Sequence, residues 1–97
     1  MRPVVKFFLK RELKQARVKR DVERATLIEQ VLADEDLFEF VAASAEEEYQ
    51  YARRLHGAEE LDGSVGGVFQ DFLKYLFDNR ESIFKTILAI IQLLAIL

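Results

Sequence analysis

The sequence predicts an all-α protein, and three observations support this fold class. No Gly or Pro occurs between Val4 and His56, and most residues in that span are good helix formers. Apolar residues recur at helical spacing along the chain. Strict alternation of apolar and polar residues never runs for more than a few positions, so we expect no β-strand.

Charge is distributed unevenly along the 97 residues. Residues 1–24 carry nine Lys or Arg against three acids, whereas residues 25–62 carry two Arg against eleven acids. Residues 63–97 carry three of each sign and are strongly apolar. The chain is therefore basic, then acidic, then apolar, and this order is the main sign of its organisation.

A chain of this length suits one domain, which we place at residues 1–97. Within it we expect a charged helical part at 1–56, a hinge loop at 57–67 and a hydrophobic helical part at 68–97. A small domain buries a modest core and often depends on partners for stability.

The first predicted helix covers about residues 4–33, with Pro3 near its start, where a helix tolerates proline. Its apolar stripe begins with Val5, Leu9, Leu13 and Ala16. The stripe then changes phase and continues through Val18, Val22, Ala25, Ile28 and Leu32. Either the helix bends near residues 16–21 or it meets different neighbours along its length.

The second predicted helix covers about residues 35–56. Asp34 is a suitable N-cap, and Asp36 lies in the first turn, where the helix dipole favours an acid. Gly57 suits the left-handed position just beyond the helix end. The following loop, 57–67, contains all four glycines of the chain.

The hydrophobic part consists of helices at about 68–78 and 79–97, arranged as a hairpin or as one continuous helix. The first is strongly amphipathic. Asp78 and Glu81 have the spacing of a reciprocal N-terminal cap, which favours a new helix starting near residue 79.

Residues 83–97 contain only three polar side chains: Lys85, Thr86 and Gln92. Fifteen helical residues extend about 22 Å, which is short of the roughly 30 Å of bilayer hydrocarbon. A helix that is apolar on nearly every side is buried in protein or in lipid. We therefore expect burial against other subunits, other proteins or a bilayer; the alternative is burial as the central helix of the chain's own bundle.

The residues expected to contact a partner or a membrane are the apolar ones on the faces of these two helices. They are Phe69, Phe72, Leu76, Ile83, Ile87, Ile90, Ile91, Leu94 and Leu97.

The basic segment is the second candidate surface, because its cations lie on a predicted helix with few acids. Such a surface suits phosphates of nucleic acid or lipid headgroups, or the acidic segment of the same or another chain. The candidate residues are Lys6, Lys10, Arg11, Lys14, Arg17, Lys19 and Arg20.

No stretch of the sequence is typical of an enzyme site. The absence of cysteine excludes disulfides and thiolate metal sites, and the single histidine, His56, forms no Glu-x-x-His pair. The Gly-rich stretch 63–67 lacks the Lys-Ser/Thr continuation of a phosphate-binding loop. We expect no catalysis, no cofactor, no metal and no small-molecule substrate. We also expect no signal peptide, because Lys6 and Lys10 interrupt the first apolar run.

The stretch LKYLFDNRESIFKTILAIIQLLAIL, residues 73–97, is similar to short helical proteins with apolar tails that tailed bacteriophages encode. Some of those are virion components and some are lysis proteins. The long charged segment departs from the simplest lysis proteins, which are mostly transmembrane. The resemblance therefore implies a structural subunit of a larger assembly, located in a virion. The alternatives are a membrane-active or membrane-anchored protein and a DNA-contacting packaging or ejection factor.

Overall fold

The computed structural model describes residues 1–56 and 65–97. These residues form five α-helices and no strand, so the all-α class expected from the sequence is confirmed. The helices are α1 (Arg2–Val18), α2 (Val22–Ala33), α3 (Glu35–His56), α4 (Val65–Asp78) and α5 (Arg80–Ile96).

The prediction of one helix over residues 4–33 is wrong, because a turn at residues 19–21 separates α1 from α2. Arg20 is left-handed at φ 57°, its N–H donates to the Arg17 carbonyl (3.2 Å), and the Asp21 N–H donates to the Ala16 carbonyl (2.8 Å). These two bonds form the Schellman motif that ends many helices, here with Arg in the usual glycine position. The turn lies within the predicted bend and accounts for the change of phase in the apolar stripe.

Aspartates cap the next two helices. The Arg24 N–H donates to Asp21 Oδ1 at 3.2 Å at the start of α2. At the start of α3, the Leu37 N–H donates to Asp34 Oδ1 at 3.1 Å, so the predicted cap is confirmed. Each carboxylate satisfies a backbone donor that has no partner inside the helix.

The start of α4 corrects the predicted loop. The helix begins at Val65, so residues 65–67 are helical, whereas residues 57–64 lie outside the described part of the chain. Gly66 and Gly67 therefore lie in the first turn of α4 and not in the predicted loop.

A single residue, Asn79, separates α4 from α5. The Asn79 side-chain amide donates to the Tyr75 carbonyl at 2.8 Å, which terminates α4. The expected reciprocal cap between Asp78 and Glu81 does not form, since Asn79 is the N-cap and makes no side-chain capping bond. The Glu81 carboxylate instead accepts a hydrogen bond from Arg24 at 2.7 Å.

Two aromatic groups occupy the core. Phe8 is fully buried, and its ring centroid lies 5.2 Å from that of Phe77 and 6.2 Å from that of Phe84. The ring centroid of Tyr49 lies 4.9 Å from that of Phe72 and 5.4 Å from that of Tyr75. Aliphatic side chains from all five helices surround these rings, among them Leu9, Ile28, Val31, Val41, Leu76 and Ile87.

Tyr49 is a buried polar anchor between α3 and α4. Its hydroxyl donates to Asp71 Oδ2 at 2.6 Å. Burial, followed by the Asp71 contact, raises the pKa of Tyr49 to about 12. The neutral phenol is therefore stabilised in the folded state, where ionisation would place two negative charges together.

We expect Arg20→Gly to stabilise the fold by up to about 1 kcal/mol. The left-handed conformation costs a non-glycine residue roughly 1–2 kcal/mol, and glycine avoids this cost. The greater freedom of glycine in the unfolded chain offsets part of the stabilisation. Lys19→Gly is the matched control because Lys19 is right-handed at φ −82°. Urea unfolding measures the free energy of unfolding of both variants. Equal destabilisation by the two substitutions would contradict the role of Arg20.

We expect stability to fall as the pH rises from about 10 to about 12. The Tyr49 pKa is about 12 in the folded chain and close to 10 when unfolded. Its contribution to stability is therefore complete below pH 10 and is lost progressively as the pH rises to about 12. Linkage limits the loss to about 2–3 kcal/mol. Urea unfolding across this range should show a smaller loss in Tyr49→Phe than in the control Tyr51→Phe, whose side chain is exposed.

Candidate functional site

Helix α5 is buried in its first half and exposed in its second. Ile83, Phe84 and Ile87 are at most 5% exposed. Beyond residue 92 every side chain is exposed, including four large aliphatic ones. These four, which we call the apolar end of α5, are Leu93 (58% exposed), Leu94 (50%), Ile96 (81%) and Leu97 (91%).

The structure divides the nine predicted contact residues between core and surface. Phe72, Leu76, Ile83 and Ile87 are buried and contact the chain's own helices. Phe69, Leu94 and Leu97 are exposed, whereas Ile90 and Ile91 are half-buried at the edge of the core. The five residues outside the core are the part of this set available to a partner.

Leu93 and Ile96 were missing from the predicted contact set, although both are strongly exposed. The available signal was their spacing, because Leu93 lies four residues after Ala89, and Ile96 lies four after Gln92. Ala89 and Gln92 are themselves exposed, so the face with small and polar residues is the solvent face of α5. Its continuation into Leu93 and Ile96 makes the helix end apolar on every side.

Burial of the apolar end against another surface would contribute a substantial favourable free energy. Full burial of one leucine or isoleucine side chain contributes about 1.5–3 kcal/mol. Covering the four partly to largely exposed side chains would therefore release on the order of 5 kcal/mol, before the entropic cost of association. Such an end favours contact with another apolar surface.

The outward face of α1 carries cations and no acidic side chain of the same helix. All seven predicted cations between Lys6 and Arg20 are exposed. The single acid of α1, Glu12, is 4% exposed and points into the core. We call the exposed Lys6, Lys10, Arg11, Lys14, Arg17, Lys19 and Arg20 the cationic face.

Only one member of the cationic face has a carboxylate partner in the described residues. Arg17 lies 3.4 Å from Glu29, and both side chains are exposed. The closer pairs involve arginines outside this set, since Arg2 lies 2.7 Å from both Glu39 and Glu46. The basic and acidic segments therefore meet within the chain, but mainly through Arg2, which the sequence did not single out.

Charges also fix the first turn of α5. Arg24 lies 2.7 Å from Glu81, and its guanidinium lies 4.3 Å from the centre of the Phe84 ring. The hydrogen bond from Arg24 lowers the pKa of Glu81. Arg80 lies 3.8 Å from the buried Glu12, whose Oε1 has no hydrogen-bond partner in the described region. The beginning of α5 is therefore attached on two sides, and its other end is free.

The described residues contain neither a metal-binding cluster nor a helix that could span a membrane. Residues 1–56 and 65–97 contain no group of three or more His, Cys, Asp or Glu residues that could hold a metal ion. Within the same ranges, no helix combines the length and apolar character that crossing a bilayer requires.

Comparison with protein-family models, with curated proteins and with solved structures finds no match for this chain.

We expect Ile87→Ala and Leu94→Ala to separate the core half of α5 from its exposed half. Ile87 is fully buried, so its truncation should lower the free energy of unfolding by about 2–5 kcal/mol. Leu94 is half-exposed, and its truncation should cost less than about 1 kcal/mol. Chemical denaturation of dilute protein measures both. Similar losses would mean that the end of α5 packs on the chain's own core.

Proposed function

We propose that this chain is a non-catalytic structural subunit of a larger assembly and associates through the apolar end of α5. The observation that carries the proposal is the exposure of Leu93, Leu94, Ile96 and Leu97 on one helix end. Isolated exposed apolar residues are common on protein surfaces, but a contiguous apolar end typically marks an interaction site.

The geometry of α5 favours a protein partner over a bilayer. The whole helix has 17 residues and is about 26 Å long, and its first half is attached to the core. The side chains of the apolar end extend over about 8 Å of helix beyond the core. A short apolar end suits insertion into a groove or between the helices of neighbouring subunits.

The proposal assigns the chain no cofactor and no small-molecule substrate. A sequence with one histidine and no cysteine offers few groups for nucleophilic or metal chemistry. The resemblance of residues 73–97 to apolar-tailed phage proteins supports the virion of a tailed bacteriophage as the assembly.

A second candidate function is peripheral attachment to an anionic membrane. The observation that favours it is the combination of an apolar helix end with the cationic face of α1. A third, DNA contact in packaging or ejection, would use the cationic face alone.

We expect the protein to be oligomeric at micromolar concentration without detergent. The double variant Leu94→Gln, Leu97→Gln should weaken association at least about tenfold, a change of about 1.4 kcal/mol, because it places amides in the apolar contact. The control Val22→Gln changes an exposed aliphatic side chain elsewhere on the surface and should associate like the unmodified chain. Size-exclusion chromatography with light scattering gives the mass of each.

A monomer at every concentration would overturn this assignment. Flotation with vesicles distinguishes the second candidate. If the unmodified chain floats with anionic vesicles at low salt and the α5 variant does not, while both are monomeric in their absence, membrane attachment is the function.

A further inference from the structure

Helices α1 and α3 expose apolar side chains with the same spacing. On α1 these are Phe7 (51% exposed) and Val18 (73%), and on α3 they are Phe40 (59%) and Tyr51 (61%), with Leu55 (62%) one turn further on. Each pair is separated by eleven residues, which is about three helical turns or 16 Å. The two members of a pair therefore lie on one face of their helix, and the distance between them is the same in α1 and α3.

The charges on the two faces have opposite signs. Between Phe7 and Val18 the outward face of α1 carries Lys10, Arg11 and Lys14. On the Phe40–Tyr51 face of α3 the exposed acids are Asp36 and Glu47, and neither has an ion-pair partner in the described residues. Glu35 and Glu39 are exposed about 100° or more around the helix, and Glu39 pairs with Arg2. Ala43, three residues after Phe40, is exposed and small, so another helix can approach closely there.

We propose that the cationic face of α1 in one copy docks on the exposed face of α3 in a second copy. Each copy carries both surfaces, so two copies present complementary charges and matching apolar pairs. Phosphate recognition would use the cations but would not account for the corresponding apolar pair on α3. This inference rests on the proposed role as a self-associating subunit and adds a second contact to the one made by α5.

The ends of the helices determine the direction of docking. Lys19 and Arg20 directly follow α1, the acids Glu35 and Asp36 lie in the first turn of α3, and Arg53 and Arg54 lie near its end. An antiparallel arrangement brings the cations at the end of α1 to these acids, whereas a parallel one places them beside Arg53 and Arg54. In the antiparallel arrangement Phe7 lies level with Tyr51, Val18 with Phe40, and Arg11 with Glu47.

A charge-exchange experiment on the full chain tests the contact. One variant carries Arg11→Glu and Lys19→Glu, and the other carries Asp36→Lys and Glu47→Lys. Each alone should associate at least about tenfold more weakly than the unmodified chain, because like charges then face each other. An equimolar mixture should recover association to within about threefold, which also shows that both variants fold. Lys74→Glu with Lys85→Glu changes net charge equally at other exposed sites and should have little effect.

Disulfide trapping tests the direction of docking, since the chain has no cysteine of its own. A copy with Val18→Cys should cross-link to a differently tagged copy with Phe40→Cys at least about ten times more than to one with Tyr51→Cys. Equal yields, or a charge-exchanged mixture that does not recover, would overturn the inference. So would DNA or vesicle binding that the Arg11→Glu, Lys19→Glu variant loses and that adding the other variant does not restore.

The two proposals fail in different ways. If Leu94→Gln, Leu97→Gln weakens association while the Val18–Phe40 cross-link never forms, the α1–α3 contact is wrong and the role of α5 stands. If the cross-link forms with equal yield in that background and the oligomer mass is unchanged, the role of α5 is wrong.

Discussion

Burial of the Phe8 ring is the interaction on which the arrangement of the C-terminal helices depends. The ring contacts Phe77 at the end of α4 and Phe84 near the start of α5, so α1 holds both sides of the Asn79 junction. Arg24 covers Phe84 and pairs with Glu81, which strengthens the same attachment. Because these contacts lie at the beginning of α5, they fix its direction without covering its end.

The placement of charge follows from the same packing. Glu12 is the only acid of α1, and it faces inward toward Arg80, so it cannot neutralise the outward cations. The arginines with the shortest carboxylate contacts among the described residues, Arg2 and Arg24, link α1 to α3 and α2 to α5. The lysines in the middle of α1 are exposed and pair with no carboxylate of the described residues, so this stretch of α1 keeps its positive charge in the folded chain.

Much of the fold could be predicted because helix propensity and capping are local. Asp34 caps α3 as expected, and that helix has the predicted limits. The change of phase in the apolar stripe allowed a bend near residues 16–21, but the turn residue itself could not be identified, because the left-handed position at a helix end normally carries Gly and nothing in the sequence marks Arg20 for it. For the candidate site, periodicity identified apolar faces but not what covers them. Phe72 is buried and Phe69 exposed, although both belong to one amphipathic helix.

The two candidate surfaces have different physical properties, and these suit different tasks in an assembly. Apolar contact at Leu93–Leu97 is strong per residue but non-directional, so by itself it allows many relative orientations. Charge pairs at an exposed helix face add little affinity, since solvent screens them, but they penalise the wrong partner and the wrong register. A subunit that carried only the apolar end would aggregate without order, and one that carried only the charged faces would associate weakly. In the proposed subunit, the two surfaces together would allow a small chain to associate both firmly and in one orientation.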